Sequence, residues 1–455
     1  MELLSHHAGF FAGSSGITSA PGPGQAPRSL LDSSDATRCC EGGAVGARFR
    51  SAPALAPRVV LPRPIAAGRL PLMAKRSVCV IGVGMTKFER CDKDFTDLVK
   101  EAVTDALGMA GVTPDKFEQA FAGYVNGMSC QGQRALYYMG LGGIPVYNVH
   151  SYCSTGSSAL HLGYQAVASG MNECVLAFGF EKMEKGPLDS QLTGLKEKYD
   201  EEAKKRPPAA AVMFGDGGRH HMELYGTTKE QFAKVSVKNH RHSVNNPRSQ
   251  YRDACTLEEV LASRLIYDPL TLLQCCPTSD GAGAAILCSE EFAKEHGQSR
   301  PVKIIGQAMA TDLLDDFAQG AMGLIGVGMS RRAAKAVYEQ TALGPEDVQV
   351  IELHDCFSTN ELITYESLGL CEPGEGGRLI DEDQVTYGGK WVVNPSGGLL
   401  SKGHPLGATG LAQCAELVWQ LNGMAEKRQV EGARVGLQHN VGLGGACVVT
   451  MYRKD

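Results

Sequence analysis

The sequence predicts an α/β protein built of two similar halves, with sheets covered by helices on both faces. Short apolar runs of strand type alternate with stretches of helical periodicity along most of the chain. The composition, 43% hydrophobic and 21% charged over 455 residues, is that of a globular protein long enough for two or three domains. A weak internal repeat is also present. Cys153 to Ala159 leads into a helix and then a strand at Cys174, and Leu406 to Ala412 leads into a helix over Gln413–Leu421 and then a strand at Arg434–Leu437. The pairs Thr155-Gly156 and Thr409-Gly410 occupy equivalent places, which sets two glycine-rich helix starts opposite each other at one site.

Residues 1–72 differ from the rest. They are rich in Gly, Pro, Ala and Ser, with seven Arg, no Lys and four acidic residues, and are expected to be disordered. Two explanations stand: a transit segment, or an upstream-extended gene model with Met73 as the working start. Folded structure is expected from Val78-Cys79-Val80-Ile81-Gly82-Val83-Gly84, a strand-type run. Its Gly-Val-Gly is not followed by the rest of a dinucleotide fingerprint, so nucleotide binding there is disfavoured. Helices are expected over Asp97–Met109 and Ser157–Ser169, and a buried strand over Glu173–Gly179. Residues 185–265 break the alternation: Lys196–Lys205 is densely charged, Pro207 and Pro208 punctuate, and His240–Pro247 is polar and loop-like. This segment reads as an inserted, mostly helical lid on the surface.

Several classes are excluded or disfavoured. No uncharged apolar run reaches the ~18 residues of a membrane-spanning helix. The net charge of −6 leaves no basic footprint for nucleic acid. The fifteen cysteines are odd in number, irregularly spaced and lack any Cys-x-x-Cys, which argues against a disulfide framework or a zinc ribbon. No metal is expected.

Two of those thiols stand in frames suited to chemistry. Cys153 lies at a helix start, where converging N–H groups are expected to favour its thiolate, and the small Ser154 and Gly156 admit a bulky thioester. His404, in the mirror-related loop Gly403–Gly410, is a candidate base for the thiol proton. His354-Asp355-Cys356-Phe357 follows the apolar run Val348–Leu353, at a strand end where α/β folds place functional groups. There Cys356 can serve as a second acid/base, and His354 can donate to a developing enolate oxygen. Asn394 precedes the His404 loop as a supporting residue. Gly442, within His439–Gly445, is the expected backbone donor to an oxyanion. His240 and His242 are read as lid residues rather than catalysts.

These residues resemble the thiolases, and most closely the branch that contains the thiolase portion of sterol carrier protein X. The resemblance covers residues 76–453. It is carried by Val83–Phe88, Cys153–Gly156, Gln274–Gly281, His354–Phe357, Asn394–Gly398 and Gly403–Pro405. General thiolases have Asn-Glu-Ala-Phe where this chain has His354–Phe357. The resemblance implies a five-layered αβαβα fold of two pseudo-symmetric halves, 76–305 and 306–455, with the loop domain at 185–265 gripping coenzyme A. It also implies a homodimer. By it, Cys153 is the acylated nucleophile, His404 its activator and His354 an oxyanion-binding group, while Cys276, Thr278 and Ser279 contact coenzyme A. General thiolases place a second cysteine in a C-terminal Cys-x-Gly. Asn440-Val441-Gly442 stands there in this chain, and Cys356 substitutes for the missing thiol. The bulky His150-Ser151-Tyr152 before the nucleophile departs from the branch and bears on acyl specificity.

The activity implied is thiolytic cleavage of 3-oxoacyl-CoA by coenzyme A through an acyl-Cys153 intermediate, in β-oxidation of fatty acids or of branched or sterol side chains. Coenzyme A is a co-substrate, and no cofactor is tightly bound. A condensing synthase on the same fold would not need Cys356, and an acyl-CoA or lipid carrier would need neither thiol. A papain-like hydrolase is weaker, because the Cys and His frames look like repeats of one another. The family points to the peroxisome, although Met451–Asp455 does not spell a Ser-Lys-Leu signal; the Arg-rich first residues permit a mitochondrion.

Overall fold

The computed structural model describes residues 76–183 and 208–455, so the segment 1–72 and the charged stretch Lys196–Lys205 lie outside the described residues. The described strands are β1 Val78–Met85, β2 Gln119–Gly123, β3 Val146–Val149, β4 Cys174–Glu181, β5 Leu265–Tyr267, β6 Leu270–Thr271, β7 Gly281–Ser289, β8 Val302–Ala310, β9 Val350–Glu352, β10 Val392–Val393, β11 Val435–Val441 and β12 Cys447–Arg453.

Ten of them form one sheet in the order β3-β2-β4-β7-β1-β8-β12-β11-β9-β10, while β5 and β6 pair separately. The sheet is two copies of a single five-stranded pattern. In the first copy β2 runs parallel to β3 and β4, and β4–β7 and β7–β1 are antiparallel. In the second, β9 runs parallel to β10 and β11, and β11–β12 and β12–β8 are antiparallel. The copies join at equivalent strands, β1 and β8, through Val78 opposite Ile304 and Val80 opposite Val302. The repeat that surfaces in two short sequence segments therefore extends to the whole connectivity.

Helices complete a five-layer αβαβα arrangement. Phe95–Ala110 covers the outer face of β1 and β7, and Val327–Thr341 covers β8 and β12. Between the halves lie Thr155–Ala168 and Leu406–Asn422, each touching strands of both copies. Strand alternation sorts the core accordingly. On β4, Val175 and Ala177 face the central helices while Leu176 and Phe178 face outward. Gly82 and Gly84 of β1 are packing glycines: a Cβ there would stand 2.2 Å from the Ala106 carbonyl oxygen or 2.1 Å from that of Ala102.

The central helices meet at their starts. A Cβ on Gly156 would lie 2.7 Å from the Gly407 carbonyl oxygen, and one on Gly410 would lie 2.2 Å from the Ser157 nitrogen. This contact explains why the second helix begins at Leu406 rather than Gln413. Gly407 and Gly410 read as loop by propensity, yet they are helical because only glycine admits the neighbouring backbone.

The described part of the segment expected as a helical surface lid, from residue 208, is mostly helical and packs against the second half. Its helices Ala209–Tyr225 and Lys229–Ser243 contact Ser358–Ser367, and the latter also contacts Gly398–Lys402. The polar run from His240 is helical as far as Ser243, with His240, His242 and Ser243 buried, because its polar side chains find partners inside.

Gly410→Ala is expected to cost at least about 1–3 kcal/mol through overpacking and to lower the thermal unfolding midpoint. An unchanged midpoint by calorimetry would contradict the tight helix crossing.

Candidate active site

Cys153 sits in a single tight turn, Tyr152–Ser154, that runs into the helix Thr155–Ala168. The Ser154 N–H and hydroxyl both donate to the Ser151 carbonyl, at 3.1 and 2.9 Å, and the Ser151 N–H donates to Thr155 Oγ1 at 2.8 Å. Tyr152 is held at φ +47°, a left-handed conformation that bulky residues rarely adopt, so backbone strain is stored beside the cysteine. Its ring meets that of His150 edge-on at 5.1 Å.

His404 enters from the other half, immediately before Pro405 and the helix Leu406–Asn422. Its Nδ1 lies 2.7 Å from Thr409 Oγ1, whose own hydroxyl donates to the Pro405 carbonyl at 2.9 Å. A hydroxyl has one proton, so Thr409 accepts from the His404 Nδ1–H. The neutral ring is thereby fixed with a bare lone pair on Nε2, and that atom is buried with no hydrogen-bond partner. His354 follows β9, and its ring meets that of His404 at 4.9 Å and 80°. Cys153 Sγ and one nitrogen of each imidazole lie within 4.8 Å of one another. Among the described residues this is the cluster that offers metal-ligand atoms, but a protonated thiol makes it a poor site for an ion.

Cys356 is buried two residues beyond His354. The Cys276 N–H donates to its carbonyl at 2.9 Å, next to a bridge between Cys275 and Phe357. That pairing sets Cys276 opposite Cys356 on short antiparallel segments.

Burial dominates the electrostatics. It pushes the Cys153 thiol up to about 12; the nearby Glu181 adds to the rise, and the cysteine's own N–H opposes it. It takes His404 down to about 3, with the Lys402 charge contributing. His354 is held well below its ordinary value by burial and then by His404 and His439. Cys356 is raised by burial and by Cys276 and Cys153. The thiolate expected at a helix start is therefore not the resting state: loss of solvation outweighs the converging N–H groups. The resting pair is a thiol beside a neutral imidazole, ready for proton transfer as a bond forms.

The two loops are tied together by carboxylates. Asp355 accepts from the Leu399 and Leu400 N–H groups at 2.7 and 3.2 Å and from Asn239 at 2.7 Å, so the strand end carrying His354 is fastened to the segment leading to His404. Burial next to Glu361 raises Asp355 to about 8. Glu361 pairs with the buried Lys238 at 2.5 Å, and Lys402 pairs with Glu352 at 3.2 Å, both lysines being enclosed in the core. Glu181, at the end of β4, accepts from Gly407, Asn126 and Val125 N–H groups and clamps the start of the His404 helix. Burial raises it to about 7.

Of the residues singled out in sequence, Cys153, His354, Cys356 and His404 converge. Gly442 and Ser279 do not take the expected role. The Gly442 N–H donates to the Ala446 carbonyl at 2.8 Å, closing the β11–β12 turn, so it is not a free oxyanion donor. Its glycine is required because a Cβ would stand 2.3 Å from the Ser151 carbonyl oxygen. Asn394 is support alone: its Oδ1 accepts from the Leu353 N–H and its Nδ2 donates to Glu361, both at 2.9 Å. Ser279 is buried behind His404, where its hydroxyl accepts from the His404 N–H at 3.1 Å and donates to Gln250 at 2.7 Å, which leaves it no hydrogen for coenzyme A. Cys276 packs beside Cys356, and Thr278 is partly exposed. Asn239 carries no signal in the sequence because it lies in a polar segment that reads as a lid. Glu181 ends an otherwise apolar strand, and that lone buried charge was the available signal.

The fold and site define an enzyme built on a half-buried cysteine beside a buried histidine where two pseudo-symmetric halves meet. Residues 78–291 match the family description "Thiolase, N-terminal domain" and residues 319–452 match "Thiolase C-terminal domain-like". Sterol carrier protein 2 of Rattus norvegicus is 56% identical over 394 residues, covering 83% of this chain and 72% of that one. An acetyl-CoA acetyltransferase of Methanothermobacter thermautotrophicus is 40% identical over 389 residues, covering 83% of this chain and 100% of that one. In fold, the chain is similar to the human mitochondrial 3-ketoacyl-CoA thiolase solved with CoA, at a TM-score of 0.65 and 19% identity over 84% of this chain and 98% of that one. The chain belongs to the thiolase family and is an acyltransferase of that class.

With its thiol raised to about 12, Cys153 is expected to react with iodoacetamide at a rate that climbs about tenfold per pH unit from pH 6 to 9, as the thiolate fraction does below a pKa. A rate already level below pH 7 would show a preformed thiolate and contradict this electrostatic picture.

Proposed function

We propose that the protein catalyses thiolysis of 3-oxoacyl-CoA esters, releasing acetyl-CoA or propanoyl-CoA and passing the shortened acyl group to coenzyme A. The observation that carries the reading is the unpartnered His404 Nε2 lone pair in the cluster with Cys153 and His354. As the Cys153 sulfur attacks the 3-keto carbon, His404 Nε2 takes its proton and the carbonyl π pair moves onto oxygen. Collapse of that oxyanion breaks the Cα–Cβ bond and leaves the acyl group on Cys153. The departing enolate of acetyl-CoA or propanoyl-CoA takes a proton from Cys356, whose raised pKa keeps it protonated at rest. The thiol of a second coenzyme A then gives its proton to the Cys356 thiolate and attacks the acyl-Cys153 carbonyl, and the expelled Cys153 sulfur takes back the proton held on His404 Nε2, so both pairs return to their resting state.

Coenzyme A esters as substrates are supported by the name of the archaeal relative, an acetyl-CoA acetyltransferase, and a sterol-related substrate by that of the rat relative, a sterol carrier protein. The strained Tyr152 and His150 beside the nucleophile bear on which acyl chain fits.

Cys153→Ala is expected to abolish thiolysis of 3-oxoacyl-CoA. Cys356→Ala is expected to cost about 10²–10⁴-fold in kcat, the range of a lost general acid, while still forming acyl-enzyme from a simple acyl-CoA. Full thiolysis by Cys153→Ala would overturn the assignment, and full activity of Cys356→Ala would favour a condensing synthase.

A further inference from the structure

Asn440 occupies the place where general thiolases carry the second cysteine, and the mechanism above gives it no task. It is fully buried and touches both reacting segments. Its Nδ2 lies 3.1 Å from the Cys153 carbonyl oxygen and 2.9 Å from His354 Nδ1, and its Oδ1 lies 2.8 Å from Ser157 Oγ. Proton directions along this chain are fixed from both ends. A carbonyl only accepts, so the group facing Cys153 is the amide NH₂, and His354 Nδ1, facing the same NH₂, must be an acceptor. At the other end, Gln438 Nε2 donates to the Gly410 carbonyl at 2.6 Å and to Ser157 Oγ at 2.9 Å. Ser157 therefore spends its single proton on Asn440 Oδ1. Tyr452 donates to Gln438 Oε1 at 2.5 Å, which holds that amide the same way round.

We propose that Asn440 is a positioning residue that holds His354 as the tautomer protonated on Nε2, and so makes it a hydrogen-bond donor to the oxygen of the reacting carbonyl. Thr409 imposes the opposite tautomer on His404, so two adjacent imidazoles are set as donor and base by one partner each. A thiol in the same place would be a poorer donor to Nδ1. This is a reason for Asn440 to accompany the shift of the second thiol to Cys356. The inference rests on the proposed thiolysis for its catalytic meaning but not for the tautomer itself.

The test is a nitrogen-15 NMR spectrum of the full chain labelled at histidine, with His354 assigned by difference from His354→Asn. The expected wild-type pattern is a proton on Nε2 and a bare Nδ1; a protonated Nδ1 would overturn the proposal, whether or not any variant folds. In Asn440→Asp the carboxylate accepts from His354, moving the proton to Nδ1. kcat is then expected to fall about 100-fold, the lower end for loss of one oxyanion donor, with KM for the acyl-CoA within about threefold, as for an interaction made only in the transition state. An Asn440→Asp protein that keeps both the Nε2 proton and its kcat would also overturn it. A wild-type enzyme inactive on 3-oxoacyl-CoA would count against the proposed function alone, since the spectrum still decides the tautomer.

Discussion

The site depends on one contact, the crossing of two helix starts at Gly156 and Gly410. Each helix belongs to one copy of the repeated α/β pattern, and each carries a residue of the candidate site just ahead of its first turn: Cys153 on one and His404 on the other. Without side chains at the crossing, the backbones approach closely enough to set sulfur and imidazole within 4.8 Å. A methyl group there would separate the halves at the point where the chemistry needs them together. Burial of the groups around this crossing sets the electrostatics of the pair.

A largely desolvated Cys–His pair has a cost and a use. Neither a thiolate nor an imidazolium is stable there at rest, as the raised Cys153 and the lowered His404 show. In the proposed thiolysis, charge appears only as a bond forms and is met by groups already oriented. Orientation is supplied by buried side chains hydrogen-bonded to these segments: Thr409 for His404, Asn440 for His354, and Asp355 for the two loops together. The buried pairs Lys238–Glu361 and Lys402–Glu352 belong to this scaffolding. Buried ion pairs of this kind add little net stability, but removing one partner strands the other in the core.

Much of this was legible in the sequence and some was not. The Thr-Gly frames exposed the pseudo-symmetry, and the four candidate residues stand out because thiols and imidazoles sit beside glycines or at a strand end. The extent of the Leu406 helix was hidden because propensity counts Gly407 and Gly410 against a helix, whereas the neighbouring backbone demands them. The segment after Pro208 reads as a polar lid, yet Asn239 and His242 are polar because they face buried partners. Gly442 illustrates the limit of motif reasoning: its glycine is needed for close approach to the Ser151 carbonyl, while its N–H is consumed by a turn. Resemblance to a family can point to the right residue without giving the reason for it.

The central claim is that the crossing makes Cys153, and no other thiol in the cluster, the acceptor of the acyl group. Incubating the wild-type protein with a 3-oxoacyl-CoA in the absence of free coenzyme A, followed by peptide mapping by mass spectrometry, tests it directly. The shortened acyl mass is expected on the peptide bearing Cys153 alone. Acylation on the peptide of Cys276 or Cys356, or no adduct while acetyl-CoA or propanoyl-CoA is released, would contradict the account.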